Sequence, residues 1–300
     1  MGPAARWRRL RSPALKLLEI LQRSAAWLGE RGCDAPRLDA ELLLAHGLGV
    51  RRLDLYLQFD RPVGPQEAER LRALVMERGR GVPVAYLLGT RGFWSLDFKV
   101  TPAVLVPRPE TEHLVEVALQ ALRERPAPCL ADVGTGSGCV ALSVLHELAG
   151  ARAHATDSSA AALEVARANA AQHGLEARVA FHHGDLLEPL RATPDWGRLD
   201  AVLSNPPYIV RGDPSVEPGV HAHEPHEALY VPGDDPLELA LRVAAAAREA
   251  LAPGGLLALE VGAGSAGPAC ERLLALGWEE PTAWADLAGI DRIVSARRPS

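Results

Sequence analysis

The chain has 300 residues, 48% of them hydrophobic, and a formal net charge of −6 at pH 7. This length and apolar content predict one large or two ordinary domains with cores of their own, and the acidic balance argues against a general nucleic-acid binder. No apolar run reaches the roughly 18 residues of a membrane span, and four cysteines without a C-x-x-C pair predict a reducing compartment, the cytoplasm.

Residues 1–13 are predicted to be an extension that precedes the first helix. They carry four arginines and no acidic residue. Such a basic, acid-poor start is mildly typical of a transit peptide, which leaves an organelle matrix as an alternative location. Serine is scarce in this segment and a helical pattern begins by Leu15, so we favour a short disordered extension.

Residues 14–88 are predicted to form a small helical domain. The apolar positions of residues 14–30 recur at helical spacing, and residues 37–49 form a second helical pattern that glycine ends. A third helix is predicted over residues 65–81, because Pro65 can begin it and glycines can end it. No strand pattern interrupts these helices.

The remaining chain is predicted to be a linker followed by an α/β domain. Residues 89–109 are the predicted hairpin linker, in which GFWSLDFKV (92–100) supplies the first half of the hairpin. Residues 110–300 begin with a helix over 110–124. Strand and helix patterns then alternate: the predicted strands are CLADVG, RAHATD, RVAFHHGD, LDAVLSN, GLLALEVG and DRIVSARR, and the helices include 139–148 and 236–251. This alternation predicts a mostly parallel sheet with helices on both faces.

The stretch ADVGTGSGCVAL (131–142) combines a strand, a glycine-rich turn and a helix. Gly134, Gly136 and Gly138 allow the backbone to turn tightly and to approach a ligand closely. Their G-x-G-x-G spacing differs from the G-x-G-x-x-G of dinucleotide-binding proteins. Taken alone, the pattern is also compatible with a tight turn that binds nothing.

Two acidic residues end the next two predicted strands, Asp157 in RAHATD and Asp185 in HHGDL. An acid at the first of these places accepts hydrogen bonds from both ribose hydroxyls in nucleotide-binding sheets. The turn and both acids are expected at one edge of the sheet, where open α/β folds bind ligands. Since the chain has neither a P-loop lysine nor an arginine cluster, we predict an adenosine-containing ligand without phosphates. S-Adenosylmethionine fits, because its sulfonium cation tolerates an acidic pocket.

The segment LSNPPYIV (203–210) follows the predicted strand LDAVLS. Pro206 and Pro207 have no N–H group, so this loop offers hydrogen-bond acceptors only. Asn205 precedes a proline, which favours an extended backbone. The Asn205 side-chain oxygen and the Pro206 carbonyl oxygen can each accept one N–H of a planar NH2 group, while Tyr208 stacks on that group and excludes water. A rigid loop without a substrate is the alternative.

A planar nitrogen of this kind, in an amide or an exocyclic amine, is a poor nucleophile because its lone pair is delocalised. A useful site binds both N–H donors in plane and directs the π-face of the nitrogen at the methyl group. Such a scheme depends on alignment and electrostatics rather than on a dedicated general base.

Four stretches make the chain resemble the peptide chain release factor glutamine methyltransferase family (PrmC/HemK). They are RLDAELLLAH (37–46), FWSLDFKVTPAVLVPRPETEHLVE (93–116), DVGTGSG (132–138) and SNPPYI (204–209). HEPHEALYVPGDD (223–235) is similar to the loop that follows NPPY in that family. NPPY alone is shared with nucleic-acid amino-methyltransferases, whereas VPRPETE together with a helical N-terminal domain is far more selective. The similarity covers roughly residue 14 to the end.

The resemblance implies a two-domain enzyme. Its helical domain helps to hold a class 1 peptide chain release factor, and its class I S-adenosylmethionine-dependent methyltransferase domain methylates N5 of the Gln in the Gly-Gly-Gln motif of that factor. The implied fold is Rossmann-like, with a seven-stranded, mostly parallel sheet. We expect a monomer that binds neither nucleic acid nor membrane directly.

The resemblance also assigns residues by position. The cofactor-binding positions match Gly134, Thr135, Gly136, Ser137, Gly138, Asp157, Asp185, Leu186 and Asn205. The substrate-amide clamp matches Asn205, Pro206, Pro207 and Tyr208, of which Asn205, Pro206 and Tyr208 are the predicted catalytic residues. Leu186 stands where relatives often have an aromatic residue, which puts a stacking role in doubt.

Two other functions remain open from the residues alone. The first alternative is an N6-adenine or other nucleic-acid amino-methyltransferase, which shares the cofactor site and NPPY; the acidic balance and the absence of an evident basic target-recognition segment argue against it. The second alternative is a non-catalytic cofactor-binding scaffold of the translation machinery, and the intact Asn205–Tyr208 set argues against it.

Two further motifs have competing interpretations. HAHEPH brings His221, His223, Glu224 and His226 together, and we favour a solvated loop over a metal site and predict no metal. In RPETE (108–112), Glu110 or Thr111 either begins a helix or contacts the cofactor, and the sequence favours neither interpretation.

Overall fold

A computed structural model describes residues 15–214 and 218–300. The predicted extension over residues 1–13 lies outside the described residues. The described chain divides into two compact units. One ends at Gly89 and also includes the segment that ends at His223; the other comprises the chain from Thr90 onward except for that segment. Within the described residues, no helix combines the length and the apolar content that crossing a bilayer would require.

The first unit is helical. Its helices are α1 (Leu17–Gly29), α2 (Pro36–Leu48), α3 (Arg52–Leu57), α4 (Pro65–Arg78) and α5 (Val84–Leu88). A proline begins α2 and another begins α4, where a missing N–H costs nothing because the first N–H groups of a helix have no partner inside it. The three predicted helices are confirmed. The two short helices α3 and α5 were not predicted, since six and five residues are too few for a periodic apolar pattern.

Buried leucines, alanines and valines from these helices form the core of the helical unit. Its fully buried members include Leu28, Leu43 and Leu44, each with no exposed surface. Helices of this length are marginal in isolation, and burial of such an apolar face accounts for most of their stability.

The second unit is an α/β unit. Its strands are β1 (Thr90–Phe93), β2 (Leu96–Lys99), β3 (Cys129–Val133), β4 (Arg152–Asp157), β5 (Val179–His183), β6 (Leu199–Ser204), β7 (Leu251–Glu260), β8 (Glu279–Ala285) and β9 (Asp291–Arg297). The remaining helices in chain order are α6 (Glu112–Leu122), α7 (Cys139–Glu147), α8 (Ala160–Gln172), α9 (Pro218–His223), α10 (His226–Leu229), α11 (Glu238–Ala250) and α12 (Ala266–Ala275), of which α9 belongs with the helical unit.

The predicted seven-stranded, mostly parallel sheet is confirmed. Its strand order is β5-β4-β3-β6-β7-β9-β8, and β9 runs antiparallel to both of its neighbours. The chain moves outward from β3 to β4 and β5 and then returns to the other side of β3 as β6. This reversal leaves a crevice beyond the carboxyl ends of β3, β4 and β6, the place where open α/β sheets bind ligands.

Alternate residues of the strands face two separate hydrophobic layers. On β3, Leu130 belongs to the layer that includes α6 and α7, whereas Ala131 and Val133 belong to the layer that includes α11 and α12. Both faces of the sheet are therefore covered. This explains why the sequences of β3, β6 and the second half of β7 are nearly continuous apolar runs.

Three predictions for this part of the chain were incomplete. The stretch 92–100 was expected to hold half of a hairpin, but β1 and β2 form the whole hairpin there, and Trp94 occupies the turn with a φ of 56°. Helix α12 was missed because glycine and proline lie in its first turn. Strand β8 was missed because it lies at the edge of the sheet and is mostly exposed, so its apolar pattern is weak.

Candidate active site

The glycine-rich turn between β3 and α7 is held by backbone hydrogen bonds to the neighbouring strand. The N–H groups of Gly134 and Thr135 both donate to the carbonyl oxygen of Thr156, at 2.9 Å. Gly134 and Gly136 have φ angles of 72° and 55°, in the left-handed region that favours glycine. A Cβ atom on either glycine would have no atom within 4 Å, so the backbone there borders open space.

Asp157 ends β4 and lies directly beside this turn. Its Oδ2 accepts a hydrogen bond from the Gly136 N–H at 2.9 Å, and its Oδ1 accepts one from the Ser159 N–H at 2.8 Å. Burial raises the pKa of Asp157, and these two hydrogen bonds oppose that rise. Each oxygen retains a further lone pair, so the carboxylate can still accept hydrogen bonds from a ligand diol.

Asp185 and Leu186 follow β5, and the position of Asp185 differs from the predicted one. Asp185 was expected to end the strand, but β5 ends at His183 and Asp185 comes after Gly184. One oxygen of Asp185 accepts a hydrogen bond from the Arg242 guanidinium at 2.8 Å, and both side chains are largely exposed. Leu186 has a φ of 47° and packs beside the layer that includes α11.

Asn205 follows β6 at the same edge of the sheet. Its Nδ2 donates to the hydroxyl oxygen of Thr111 at 3.1 Å, which leaves its Oδ1 for another partner. Two hydrogen bonds hold the loop after NPPY: the Ile209 N–H donates to the carbonyl oxygen of Leu229, and the Val231 N–H donates to that of Ile209. The clamp residues are therefore fixed on a short loop that is tied down at both ends.

Sequence reasoning missed Glu260, a buried acid behind the clamp. It ends β7 with 2% of its surface exposed, and the Tyr208 hydroxyl lies 3.4 Å from its Oε1. Burial raises the pKa of Glu260 to about 7, and hydrogen bonding from Thr111 and Tyr208 opposes that rise. Burial beside Glu260 also raises the pKa of Tyr208, which stays a neutral phenol. A lone acid in the apolar run LLALEVG was the available signal.

A second buried acid, Glu224, fixes the segment before Thr111. Its side chain is 1% exposed and accepts hydrogen bonds from Arg108 at 2.7 Å and from the Val106 N–H at 3.1 Å. Glu224 was considered above as part of a histidine-rich metal site, but its oxygens are used in these two contacts. His223 makes its own contact, from Nε2 to the carbonyl oxygen of Arg80 at 3.3 Å.

The structure brings ten of the twelve predicted site residues to the wall of one cavity. The predicted residues that line it are Gly134, Thr135, Gly136, Ser137, Asp157, Asp185, Leu186, Asn205, Pro206 and Pro207. Gly138 and Tyr208 lie beside the cavity and not on its wall; Gly138 is the N-cap residue before α7, and Tyr208 packs near Gly262. Two further residues line the cavity: Thr111, for which the sequence favoured neither of two roles, and Arg108, to which it assigned no role.

The wall of this cavity suits an adenosine group that carries a positive charge. Asp157 offers free lone pairs beside the open backbone of Gly134 and Gly136. Leu186, Leu239 and Val243 supply apolar surface that can cover a flat ring. Asp132, buried beneath the turn, accepts a hydrogen bond from the Thr135 hydroxyl at 2.7 Å and has its pKa raised to about 6 by burial.

Another polar cluster lies near the amino ends of β3 and β4, away from this edge. Single side-chain atoms of Cys129, His154 and Asp195 lie within 4.8 Å of one another. Arg152 makes two hydrogen bonds to the Asp195 carboxylate, at 2.6 and 2.7 Å. The guanidinium therefore neutralises the one anion of the cluster, and burial raises the pKa of Cys129 to about 11, which disfavours the thiolate that a metal requires.

Comparisons with known proteins give two family matches and close relatives. Residues 19–89 match the model for the PrmC N-terminal domain, and residues 111–218 match that for the methyltransferase small domain. The chain is 42% identical over 268 residues to the release factor glutamine methyltransferase of Nitratidesulfovibrio vulgaris, covering 88% of this chain and 89% of the relative. It is 44% identical to the protein of that name from Xylella fastidiosa, covering 88% and 94%.

Among solved structures, the hMettl16 catalytic domain in complex with MAT2A 3'UTR hairpin 6 is similar to the chain, with a TM-score of 0.54 and 16% identity. The match covers 79% of this chain and 83% of that one. At this identity the likeness concerns the fold alone, and it is the class I methyltransferase fold that the sequence predicted.

Proposed function

The chain belongs to the release factor glutamine methyltransferase family, and on that premise we propose that it methylates N5 of the Gln in the Gly-Gly-Gln motif of class 1 peptide chain release factors. The observation that carries the proposal is the placement of Asn205, Pro206 and Pro207 on the same cavity wall as Gly134 and Asp157. A substrate nitrogen that is bound by Asn205 and the two prolines therefore lies next to the ligand that is bound by Gly134 and Asp157.

The cofactor is S-adenosylmethionine, which when bound supplies a methyl group activated by its sulfonium. We assign Asp157 to the ribose hydroxyls, because its carboxylate has lone pairs left and stands beside the glycine turn. The Gly134–Ser137 backbone borders the cofactor, and Leu186, Leu239 and Val243 cover its base. Asp132 supports the turn from below through Thr135 and the Ala141 N–H.

Asn205 and Pro206 bind the substrate amide. The Asn205 Oδ1 and the Pro206 carbonyl oxygen each accept one N–H of the Gln side chain, which fixes the plane of the amide. As the nitrogen forms its new bond, it becomes more positive and its N–H groups become stronger donors. Both hydrogen bonds therefore strengthen toward the transition state, which is how a clamp without a strong base accelerates the reaction. Pro207 lines the wall beside the amide, and Tyr208 supports the loop from behind that wall.

The nitrogen that gains a methyl group must lose one proton. It leaves as the product is released from the clamp, when water can accept it because an N-methylated, protonated amide is a strong acid. No side chain of the clamp has to be consumed in this step. The described geometry agrees with this scheme, since Asn205 is a neutral acceptor and Tyr208 remains a neutral phenol.

We propose that the helical unit over residues 14–88 binds the body of the release factor and that residues 110–300 carry the chemistry. The support is a group of exposed apolar side chains on α3 and just after it: Leu53, Leu57 and Phe59 are 62%, 71% and 47% exposed. Clustered exposed apolar side chains of this kind mark interaction surfaces. We also propose a monomer, because the cavity wall is complete within one chain, and a cytoplasmic location, where release factors act.

The docking role can be tested with L53S/L57S. We expect the KM for an intact release factor to rise by about tenfold, while the KM for a short Gly-Gly-Gln peptide stays unchanged, since the peptide lacks the body of the factor that α3 is proposed to bind. Leu274→Ser, which replaces a leucine that is 58% exposed on α12, is the matched control. An equal KM change for factor and peptide would contradict the docking role.

The activity itself is tested by incubating the full chain with labelled S-adenosylmethionine and a class 1 release factor, and by mapping the label with mass spectrometry. We expect one methyl group on the Gln of Gly-Gly-Gln and none on a factor in which Ala replaces that Gln. Label on DNA or RNA, with none on the factor, would instead favour a nucleic-acid amino-methyltransferase.

A further inference from the structure

The clamp works only if the Asn205 amide points one way. An Asn side chain can present its Oδ1, an acceptor, or its Nδ2, a donor. The substrate nitrogen carries two donors, so a flipped Asn205 would set donor against donor and repel the amide it should bind. Something must therefore select between two orientations of nearly identical shape.

Behind Asn205 lie a buried hydroxyl group and, beside that hydroxyl, a buried acid. The Asn205 Nδ2 lies 3.1 Å from the Thr111 hydroxyl oxygen. Thr111 is 3% exposed, so its hydroxyl proton needs an acceptor inside the protein. Glu260, which is 2% exposed, is the buried acid beside Thr111, and Thr111 lowers its pKa.

We propose that Glu260, acting through Thr111, fixes the direction of the Asn205 amide so that Oδ1 faces the substrate nitrogen; this inference rests on the proposed function. An ionised carboxylate only accepts hydrogen bonds, so Thr111 must donate to it. The Thr111 oxygen is then left to accept, and only the Nδ2 of Asn205 can donate to it. Glu260 is a positioning residue that never touches the substrate.

Glu260 supports the other end of the clamp as well. Tyr208 lies 3.4 Å from its Oε1 through the phenol hydroxyl, and Gly262, two residues further along the chain, packs against the Tyr208 ring. The Glu260 Oε2 is buried and has no hydrogen-bond partner in standard geometry among the described residues. A buried carboxylate with so few partners is costly, which is expected where function rather than stability requires the charge.

The charge of Glu260 determines which groups donate and which accept in the hydrogen bonds among Glu260, Thr111 and Asn205. A protonated Glu260 can itself donate to Thr111, which frees the Thr111 hydroxyl to donate to Asn205 and allows the amide to flip. The groups that face Glu260 are Glu110, which raises its pKa, Arg292, which lowers it, the neutral Tyr208 and the buried Cys139. With burial they place this pKa at about 7.

The first test is the kinetics of E260Q, T111V and the double variant on an intact release factor. In E260Q, the amide NH2 group is a hydrogen-bond donor at a position where the proposal requires only acceptors. In T111V, the hydroxyl between Asn205 and Glu260 is lost, while the branched shape of the side chain is kept. We expect each single variant to lower kcat by about 10- to 100-fold, and the double variant to lose no more than the worse single one, since both break one series. T111S should recover most of the rate lost in T111V.

The pH dependence of kcat separates this role from a merely structural one. For the wild type we expect kcat to fall about tenfold from its plateau by pH 6, because Glu260 becomes neutral below its pKa. E260Q should lack this acidic limb. Glu271→Gln, at an exposed position on α12, is the control for loss of one negative charge and should keep the limb.

A readout without turnover is the side-chain amide NMR signal of Asn205, assigned by its loss in N205A. In the full wild-type chain this signal should shift with pH around 7, and in E260Q and T111V it should not. Fully additive losses in the double variant, or an unchanged acidic limb in E260Q, would overturn the inference. A wild type that binds cofactor but methylates no Gln would instead overturn the proposed function.

Discussion

On the cofactor side of the cavity, backbone N–H groups hold the side chains that matter. Asp157 is fixed by the N–H groups of Gly136 and Ser159, and Asp132, beneath the turn, accepts from the Ala141 N–H and from the Thr135 hydroxyl. On the clamp side, side chains hold side chains: Asn205 donates to Thr111, and the Tyr208 hydroxyl lies 3.4 Å from Glu260.

The two arrangements differ in what they depend on. A backbone-held acid depends on the path of one loop, which glycines with positive φ angles make possible. A side-chain series depends on three segments that meet only in the folded chain, and on the ionisation of its last member. The cofactor side should thus be the more sensitive to backbone changes, and the clamp side the more sensitive to the loss of a single side chain.

The largest expected effect is that of Asn205→Ala on the clamp side. Loss of one preorganised hydrogen-bonding group should lower kcat by roughly 100-fold or more. Affinity for S-adenosylmethionine, measured by calorimetry, should stay nearly as before, because Asp157 and the glycine turn are untouched. Near-normal turnover of this variant would mean that Asn205 does not bind the reacting amide.

A second prediction concerns stability and the charge on Glu260. Its pKa is raised to about 7 in the folded protein, above its ordinary value of 4.5, so the folded state binds the proton more tightly than the unfolded one. The contribution of this group is therefore favourable at low pH and is lost as pH rises from about 4.5 through 7. E260Q has no titratable group at position 260, so this contribution to its free energy of unfolding should not fall as the pH rises.

We expect E260Q to match the wild type at pH 4.5 and to exceed it at pH 8 by on the order of 3 kcal/mol in free energy of unfolding, measured with urea. The variant would then be more stable and less active, as expected for a charge kept for function. If E260Q is less stable than the wild type at pH 8, Glu260 is a structural anchor and the contrast between the two sides fails.

Asp157→Ala should have the next largest effect, on the cofactor side. Removal of a charged acceptor should weaken binding of S-adenosylmethionine by about 10- to 100-fold. Asp185→Ala is the matched comparison, because this acid is exposed and already paired with Arg242, and we expect less than a threefold change. Equal effects of the two variants would remove Asp157 from its assigned role.

These contrasts explain how much could be predicted from the sequence. The glycine turn, Asp157 and the NPPY loop are contiguous patterns whose chemistry is local, so both the sheet and the two sides of the cavity were anticipated. Thr111 lies 94 residues from Asn205, and Glu260 lies 52 residues from Tyr208. Neither support has a pattern of its own, and only the pairing of β7 beside β6 brings Glu260 behind the clamp.

The smallest expected effect separates two glycines of the same turn. Gly134 has a φ of 72° and open space where a Cβ would lie, whereas Gly138, with a φ of 83°, would place a Cβ 3.0 Å from Leu142 and 3.3 Å from Ala166. Both Ala variants must adopt the left-handed region, at about 1 kcal/mol, and G138A adds roughly another 1 kcal/mol of crowding. Urea unfolding should therefore rank G138A below G134A in stability.

Cofactor affinity should rank the same two variants in the opposite order. Gly134 lines the cavity and Gly138 does not, so a methyl group at position 134 enters space that the cofactor uses, whereas one at position 138 is directed into the protein. We expect G134A to bind S-adenosylmethionine several-fold more weakly than G138A does. A common ranking in both measurements would mean that the turn binds nothing and that its glycines serve only the path of the backbone.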